Sequence, residues 1–261
     1  MNLDLTGKNA FVGGSSKGIG KAIAQKLAEL GANIILTARG EEDLEAAIAD
    51  LDTSKNQFHS YVVLDFSDRE SIRTAIEKIT KSLNIHILIN NTGGPAAGLL
   101  SSVTDEQFLG ALNNHLLCNH ILSQSVLAGM KEEGYGRIIN IISTSVKEPI
   151  PKLGVSNTTR GAVASWAKTL SNEVAADGIT VNNVLPGYTE TGRLKYIIES
   201  RAKAQNVPEQ TIVENMKKTV PAARFAKPEE VANVAAFLAS PAAGYVNGVS
   251  IAVDGGRMKS I

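Results

Sequence analysis

The sequence predicts an α/β fold in which one buried parallel sheet is doubly wound between two helical layers, a three-layer α/β/α unit. Short apolar runs alternate with helical patterns along the whole chain, the runs are apolar at nearly every residue, and a glycine-rich turn joins the first run to the first helix. A strand that is apolar throughout must be covered on both faces, and right-handed crossovers put helices on each side.

The first strand is expected over 9–13. The helix after it covers 18–30, where Ile19, Ile23, Leu27 and Leu30 recur at helical spacing. A strand at 33–38 leads to a helix at 41–51, a strand at 60–64 to a helix at 69–83, and a fourth strand lies at 85–89. Next come a long helix at 106–130, a strand at 137–142, a helix at 157–176 and a strand at 179–185. Residues 190–218 read as helical but polar and irregular, 228–238 as a short helix and 249–253 as the closing strand. No repeat, low-complexity tract or Pro/Gly/Ser-rich linker interrupts the pattern, so residues 1–261 are expected to form a single domain.

With 43% hydrophobic and 20% charged residues the chain can bury a large core and lacks the profile of a disordered protein. Lys+Arg and Asp+Glu balance at 26 each, so no basic field draws it to nucleic acid or an anionic membrane, and neither partner is expected. Cys118 is alone, which excludes an intrachain disulfide and a cysteine metal cluster. No metal site is expected. The N-terminus lacks a signal-peptide pattern and no apolar stretch is long enough to span a bilayer, so a cytoplasmic location is expected.

Gly14-Ser15-Ser16-Lys17-Gly18-Ile19-Gly20 sits between the first strand and the first helix. Residues without side chains there let the backbone approach a pyrophosphate while the amides of the helix point at it, the Rossmann-like dinucleotide arrangement. Such a run also serves plain turns and close packing. Sites of this kind often place an acid at the end of the second strand for the ribose 2′-hydroxyl, but here that strand ends in Thr37-Ala38-Arg39. Arg39 and Lys17 can bracket a 2′-phosphate instead, which favours NADP(H) over NAD(H), although both also fit solvated surface charges.

Further segments fall in the order of one family. Asn90-Asn91-Thr92-Gly93 follows the fourth strand, Asp65 and Phe66 follow the third, Ser143 closes the fifth, Pro186-Gly187 with Thr189 and Thr191 follows the sixth, and Asp254-Gly255-Gly256 lies near the C-terminus. The chain resembles the classical short-chain dehydrogenases/reductases over almost its whole length, especially the branch like β-ketoacyl-carrier-protein reductases. The resemblance implies that Asn91, Gly93, Asp65 and Phe66 line the cofactor site, that Pro186, Gly187, Thr189 and Thr191 hold the nicotinamide, that Arg160, at the position of a ribose-binding lysine, also contacts the cofactor, and that Ser143 is catalytic.

The departures fall where chemistry would occur. Ser156 stands where the family carries its catalytic tyrosine and Arg160 where it carries lysine, a Ser-Asn-x-x-Arg stretch that resembles a divergent subgroup. His115 falls on the family's structural asparagine, with Asn113 and Asn114 adjacent; Gly13 replaces a threonine and Thr92 an alanine. An aliphatic hydroxyl is a far weaker acid than a phenol, and a guanidinium supplies fixed positive charge but cannot relay protons.

Three functional readings follow. In the first, Ser143, Ser156 and Arg160 polarise a carbonyl, a 3-oxoacyl group or another small ketone including acidic ones, and the proton comes from His115, Tyr188 or water. Arg160 can also pair with a substrate carboxylate, helped by Lys147 or Lys152. In the second, the chain binds NADP(H) without hydride transfer, as a sensor or an inactive partner. In the third it is a lyase or isomerase on the same fold. Each residue also has a plainer use: His115 as a packed side chain, Ser143 as a turn cap, Tyr188 as a ring on the pocket wall, Lys147 and Lys152 as solvated charges.

Residues 190–222, with Arg193, Lys195, Tyr196, Ile197, Ile198 and Met216, are expected to form a lid over the substrate. The helices near 106–130 and 157–176 carry apolar residues on more than one face, and the resemblance implies a homotetramer or homodimer built through them.

Overall fold

The computed structural model describes residues 1–260. Its seven strands are β1 (Asn9–Val12), β2 (Asn33–Ala38), β3 (Ser60–Val63), β4 (Ile87–Asn90), β5 (Gly136–Ile141), β6 (Ile179–Pro186) and β7 (Ser250–Val253). They form one sheet in the order β3-β2-β1-β4-β5-β6-β7, and every pairing is parallel. The order reverses between β1 and β4, which leaves a crevice at the carboxyl ends of those two strands, the usual ligand position in an open α/β sheet.

Nine α-helices occur among the described residues: α1 (Gly18–Glu29), α2 (Glu41–Ala49), α3 (Arg69–Thr80), α4 (Asp105–Leu112), α5 (Cys118–Glu132), α6 (Gly154–Val174), α7 (Gly192–Gln205), α8 (Glu209–Lys218) and α9 (Pro228–Ala239). On one face α1 and α9 bury Ile23, Leu27, Val231 and Leu238 against Val12, Leu36 and Ile89. On the other, α3, α5 and α6 bury Ile72, Ile76, Leu122, Val126 and Ala167 against Phe11, Leu88 and Ile138. Each fully buried Ile or Leu contributes about 1.5–3 kcal/mol, so the two apolar layers supply most of the driving force for the fold.

Local chemistry fixes the helix starts. Asp68 caps α3 by accepting from the Glu70 and Ser71 amides (both 3.1 Å). Thr104 and Gln107 form a reciprocal capping box on α4. The long helix expected at 106–130 is interrupted by one π-helical turn, Asn113–Leu117, between α4 and α5. Such an inserted residue rotates the side chains that follow it and is frequent at functional sites. Helix α6 starts at Gly154, three residues before the expected start, because the chain packs there against residue 100: a Cβ on Gly154 would lie 2.8 Å from the Leu100 amide nitrogen. Ser156 is therefore in the first turn of a helix. The irregular 190–218 stretch resolves into α7 and α8, joined through Asn206 in the left-handed region (φ 52°) and Pro208.

One polar row runs through the apolar sheet. Asn90, Asn140, Asn183 and Ser250 are paired in register across β4, β5, β6 and β7. Asn90 Nδ2 donates to Asn140 Oδ1 (2.9 Å), Asn140 Nδ2 to Asn183 Oδ1 (2.9 Å), and Asn183 Nδ2 to Ser250 Oγ (3.1 Å). A slip of any strand would orphan these buried amides, so the row fixes register where uniformly apolar strands do not.

Replacing Asn140 with Leu should lower stability by about 1–3 kcal/mol for each of the two groups it orphans. Urea unfolding measures this, and an unchanged midpoint would mean that the row is not a register device.

Candidate active site

The crevice opens into a groove of about 560 Å³ lined by Gly14, Ser16, Lys17, Ala38, Arg39, Gly40, Asp43, Leu64, Asp65, Phe66, Thr92, Gly93, Gly94 and Asn114. Gly14 and Gly18 have φ of +54° and +58°, a conformation that disfavours any side chain. Gly20 serves packing: a Cβ there would stand 2.2 Å from the Gly14 carbonyl oxygen. Asn91 does not lie free in the groove. Its Nδ2 donates to the carbonyls of Gly13 (3.0 Å) and Gly14 (3.2 Å), tying the end of β4 to the turn after β1. A Cβ on Gly13 would stand 2.9 Å from the Asn91 carbonyl, which accounts for glycine at that position.

Sequence reasoning gave Ser15 no role. It is buried, donates from Oγ to the Val12 carbonyl (2.8 Å) and accepts the Thr37 amide (2.8 Å), stitching the turn to β2. Ser16 and Ile19 are half-buried on the turn and the first turn of α1. Lys17, exposed, pairs with Asp43 (2.8 Å), an acid on α2 that the strand-end pattern did not reveal. Arg39 is exposed and has no acidic partner within salt-bridge reach among the described residues. Asp65 accepts the Ser67 amide and hydroxyl (2.9 and 2.8 Å), which hold its carboxyl below the usual range, with Arg39 contributing less. The Phe66 carbonyl accepts from Cys118 Sγ (3.0 Å). In the amide orientation its neighbours require, Asn114 donates to the same carbonyl (3.2 Å). Burial pushes the Cys118 thiol up to about 11, so it is no nucleophile.

At Gly94 the groove comes close to Arg160, whose Nη2 lies 3.8 Å from where a Cβ would stand on that glycine. Arg160 lies on α6 one turn after Ser156 and is buried, with 7% exposure; Nη1 donates to the Ile141 carbonyl (3.1 Å). Desolvation, then the charge of Arg193, brings its pKa down to about 10, so it remains a cation at neutral pH. Ser143, two residues beyond Ile141, caps a short 3-10 turn by accepting the Ser145 amide (3.1 Å), the plainer role foreseen for it. Its own O–H has no protein acceptor, and the half-buried Ser156 hydroxyl makes no hydrogen bond to the protein among the described residues. Asn157 donates to the Ile150 carbonyl (2.9 Å) and so braces the loop between Ser143 and α6.

His115 sits on the π-helical turn, buried, with Nδ1 2.6 Å from Thr92 Oγ1. Burial first, then Arg160, lower its pKa to about 3. At neutral pH the ring is therefore uncharged and carries no imidazolium proton. Tyr188 packs edge-on against Phe225 (6.0 Å between centroids) beneath the Arg257 guanidinium, in the core of the 190–222 segment. Lys147 and Lys152 are exposed on the loop before α6, without salt bridges among the described residues.

On the far wall, Pro186 ends β6, and Gly187 passes so close to Asp254 that a Cβ would lie 2.7 Å from its Cα. Thr189 is buried and bridges to Ala226. Thr191 caps α7, and its methyl group faces Gly18, closing the groove wall over the glycine turn. No group of three or more His, Cys, Asp or Glu able to hold a metal occurs among the described residues, and no helix there is long and apolar enough to cross a membrane.

A histidine neutral in the folded state and protonated in the unfolded state contributes stability above about pH 6.5 that is lost as the pH falls towards 3. His115→Gln should therefore flatten the decline of unfolding free energy between pH 6.5 and 4.5. Parallel urea melts test this, and identical slopes for both proteins would refute a neutral buried ring.

A family model described as "Enoyl-(Acyl carrier protein) reductase" matches residues 14–257. The chain is 36% identical to the 3-oxoacyl-[acyl-carrier-protein] reductase FabG of Haemophilus influenzae, over 97% of this chain and 98% of that protein. It is 32% identical to the NADPH-dependent reductase BacG of Bacillus subtilis, over 97% and 99%. Among solved structures it superposes on YwfH, an NADPH-dependent reductase involved in bacilysin biosynthesis, with a TM-score of 0.92 (31% identity, 97% and 99% coverage). It also superposes on L-sorbose reductase from Gluconobacter frateurii, complexed with NADPH and L-sorbose, with a TM-score of 0.94 (31% identity, all of both chains). The parallel sheet, the glycine turn at its switch point and these matches together establish that the chain belongs to the short-chain dehydrogenase/reductase family.

Proposed function

We propose that the protein is an NADP(H)-dependent reductase of a small or acyl-type carbonyl, working with Ser156 and Arg160 where the family carries tyrosine and lysine. The observation that carries the reading is the placing of cations along the groove. Lys17 and Arg39 line it beside a turn closed to side chains, and at Gly94, another of its lining residues, it approaches the buried cation Arg160. FabG, BacG and the sorbose reductase are reductases, and the last two are named or solved with NADPH.

The residues present fit the dinucleotide. The turn amides between Gly14 and Gly20 receive the pyrophosphate, and Arg39 with Lys17 receives the 2′-phosphate, Lys17 exchanging Asp43 for it. Asp65 and Phe66 would hold its adenine end, Asn91 and Gly93 its middle, and Pro186, Gly187, Thr189 and Thr191 its nicotinamide end. When bound, the reduced nicotinamide supplies a hydride to the carbonyl carbon.

Ser143 and Ser156 then donate hydrogen bonds to the carbonyl oxygen, and Arg160 stabilises the negative charge that grows there. A fixed cation in a water-poor site costs no reorganisation as the charge develops. The proton that completes the alcohol comes from water, because the buried His115 ring is uncharged at neutral pH. Residues 190–222 close over this end as the lid, α7 and α8 moving on their own small core of Leu194, Ile198, Ile212 and Met216. The exposed Leu109 on α4 and the half-buried Trp166 and Leu170 on α6 make the face through which two or four copies assemble. A catalytically silent NADP(H)-binding partner is the competing reading, favoured by the missing phenol.

Fluorescence titration with NADPH and NADH, followed by NADPH oxidation against a panel of ketones, keto acids and β-ketoacyl thioesters, tests both readings; tight binding with no oxidation on any member selects the silent partner. Arg39→Asp should move the NADPH/NADH preference towards NADH by about tenfold or more, the loss of one charge-assisted bond. An unchanged ratio would remove Arg39 from the 2′-phosphate site. Arg160→Ala should lower kcat by roughly 10²-fold, more than Ser156→Ala. The opposite order would overturn the electrostatic role.

A further inference from the structure

Arg160 has company. The point where a Cβ would stand on Gly94 lies 3.8 Å from Arg160 Nη2 and 4.0 Å from Arg193 Nη2, although the two residues belong to different helices. Their forks are therefore within about 8 Å of each other, close enough for like charges to repel. Neither has a carboxylate within salt-bridge reach among the described residues. Arg193 Nη2 donates to the Pro95 carbonyl (2.9 Å), and Arg160 spends one N–H on Ile141; the rest of each fork has no protein acceptor.

The placement of Arg193 runs against local preference. It is in the first turn of α7, where the helix dipole disfavours cations, and that turn holds Arg193 and Lys195 but no acid. Glu190, the nearest acid along the chain, acts on Arg224 instead. Two guanidiniums and a positive helix end thus gather at one point without a counter-charge, and one of the guanidiniums is more than nine-tenths buried. Beyond the single carbonyl bond each fork makes, the gathered charge is unfavourable to folding, and a bound anion offsets it. The spot is just beyond Gly94, where the lining of the dinucleotide groove ends, so the anion belongs to the second substrate rather than to the cofactor phosphates.

We propose that Arg160 and Arg193 form a seat for a carboxylate carried by the carbonyl substrate, so that the substrate is a keto acid and Arg193, on the lid, is its specificity residue. The inference rests on the reductase reading for the word "substrate" but not for the seat itself. Arg160 sits at the base of the site, and Arg193 arrives from α7 across Gly94 and Pro95. A carboxylate with one oxygen towards each fork would hold the lid against the loop that follows β4.

The test uses an aliphatic 2-oxo acid and its methyl ester on the same carbon skeleton. Binding of each to the NADP⁺-loaded protein is measured by calorimetry, and turnover with NADPH by absorbance. Arg193 is exposed, so Arg193→Leu should fold normally, which a melting curve confirms. The intact protein should prefer the acid. Arg193→Leu should weaken acid binding by about tenfold or more while leaving the ester and the NADPH affinity unchanged, the scale of a lost charge-assisted contact. Equal effects on acid and ester, or equal affinity of the intact protein for both, would overturn the seat even if both compounds are reduced. Arg193-dependent binding of the acid with no NADPH oxidation would keep the seat and defeat the reductase reading.

Discussion

The bond between the Asn91 amide and the carbonyls of Gly13 and Gly14 is the constraint on which the rest of the site depends. It joins the ends of β1 and β4, the two parallel strands between which the strand order reverses, and so sets the width of the crevice. Three glycines exist to allow it. Gly13 and Gly14 approach the Asn91 backbone, and Gly20 brings α1 down onto the Gly14 carbonyl and the Asn91 side chain. An added Cβ at any of these would force backbone atoms apart, because the neighbours are carbonyls and not flexible side-chain ends. The residue after the bond, Thr92, passes the constraint on to His115, and so orients the π-helical turn that closes the groove.

Charge in the site follows from burial. His115 and Arg160 share one desolvated neighbourhood and respond in opposite ways. An imidazole near its ordinary pKa gives up its proton when buried beside a cation, and a guanidinium, starting near 12.5, loses affinity for its proton yet keeps it. The result is a pocket whose permanent charge is positive and whose only histidine is neutral, able to stabilise an oxyanion but not to protonate one. In the proposed reaction this divides the labour that a lysine-assisted phenol performs alone. Arg160 lowers the barrier to forming the alkoxide, and water, admitted when the lid opens, supplies the proton.

Much of the architecture was legible because it rests on periodicity. Seven apolar runs and a glycine turn require a covered parallel sheet whatever the side-chain detail, and most boundaries fell within a few residues of the observed ones. The misses have local causes. The π-helical turn at Asn113–Leu117 leaves no trace in a hydrophobic pattern, since one inserted residue shifts phase without changing composition. The early start of α6 depends on contact with Leu100, more than fifty residues away. The Asn90-Asn140-Asn183 row was hidden because a buried asparagine in an apolar run looks like an interruption until its cross-strand partner is known. A sequence signal did exist: each of those three strands carries an asparagine within or at the end of its apolar run.

The candidate site was legible to a different depth at its two ends. At the phosphate end, backbone geometry carries the chemistry, and backbone demands are written as glycine, so the turn could be located from sequence. At the reacting end, the outcome turns on which side chains face one another across loops. Arg193 was visible as one basic residue in an irregular segment, and nothing in its neighbours pointed to Arg160; the connection exists because the fold brings both to Gly94 from different helices. Asp43 shows the same limit. It stands in the first turn of α2, where an acid suits the helix dipole, and only the fold turns it towards Lys17. Beside the position where the family's acid is lost, the fold gathers two guanidiniums with a geometry of their own, and in the proposed reading that geometry, not the missing tyrosine, selects the substrate.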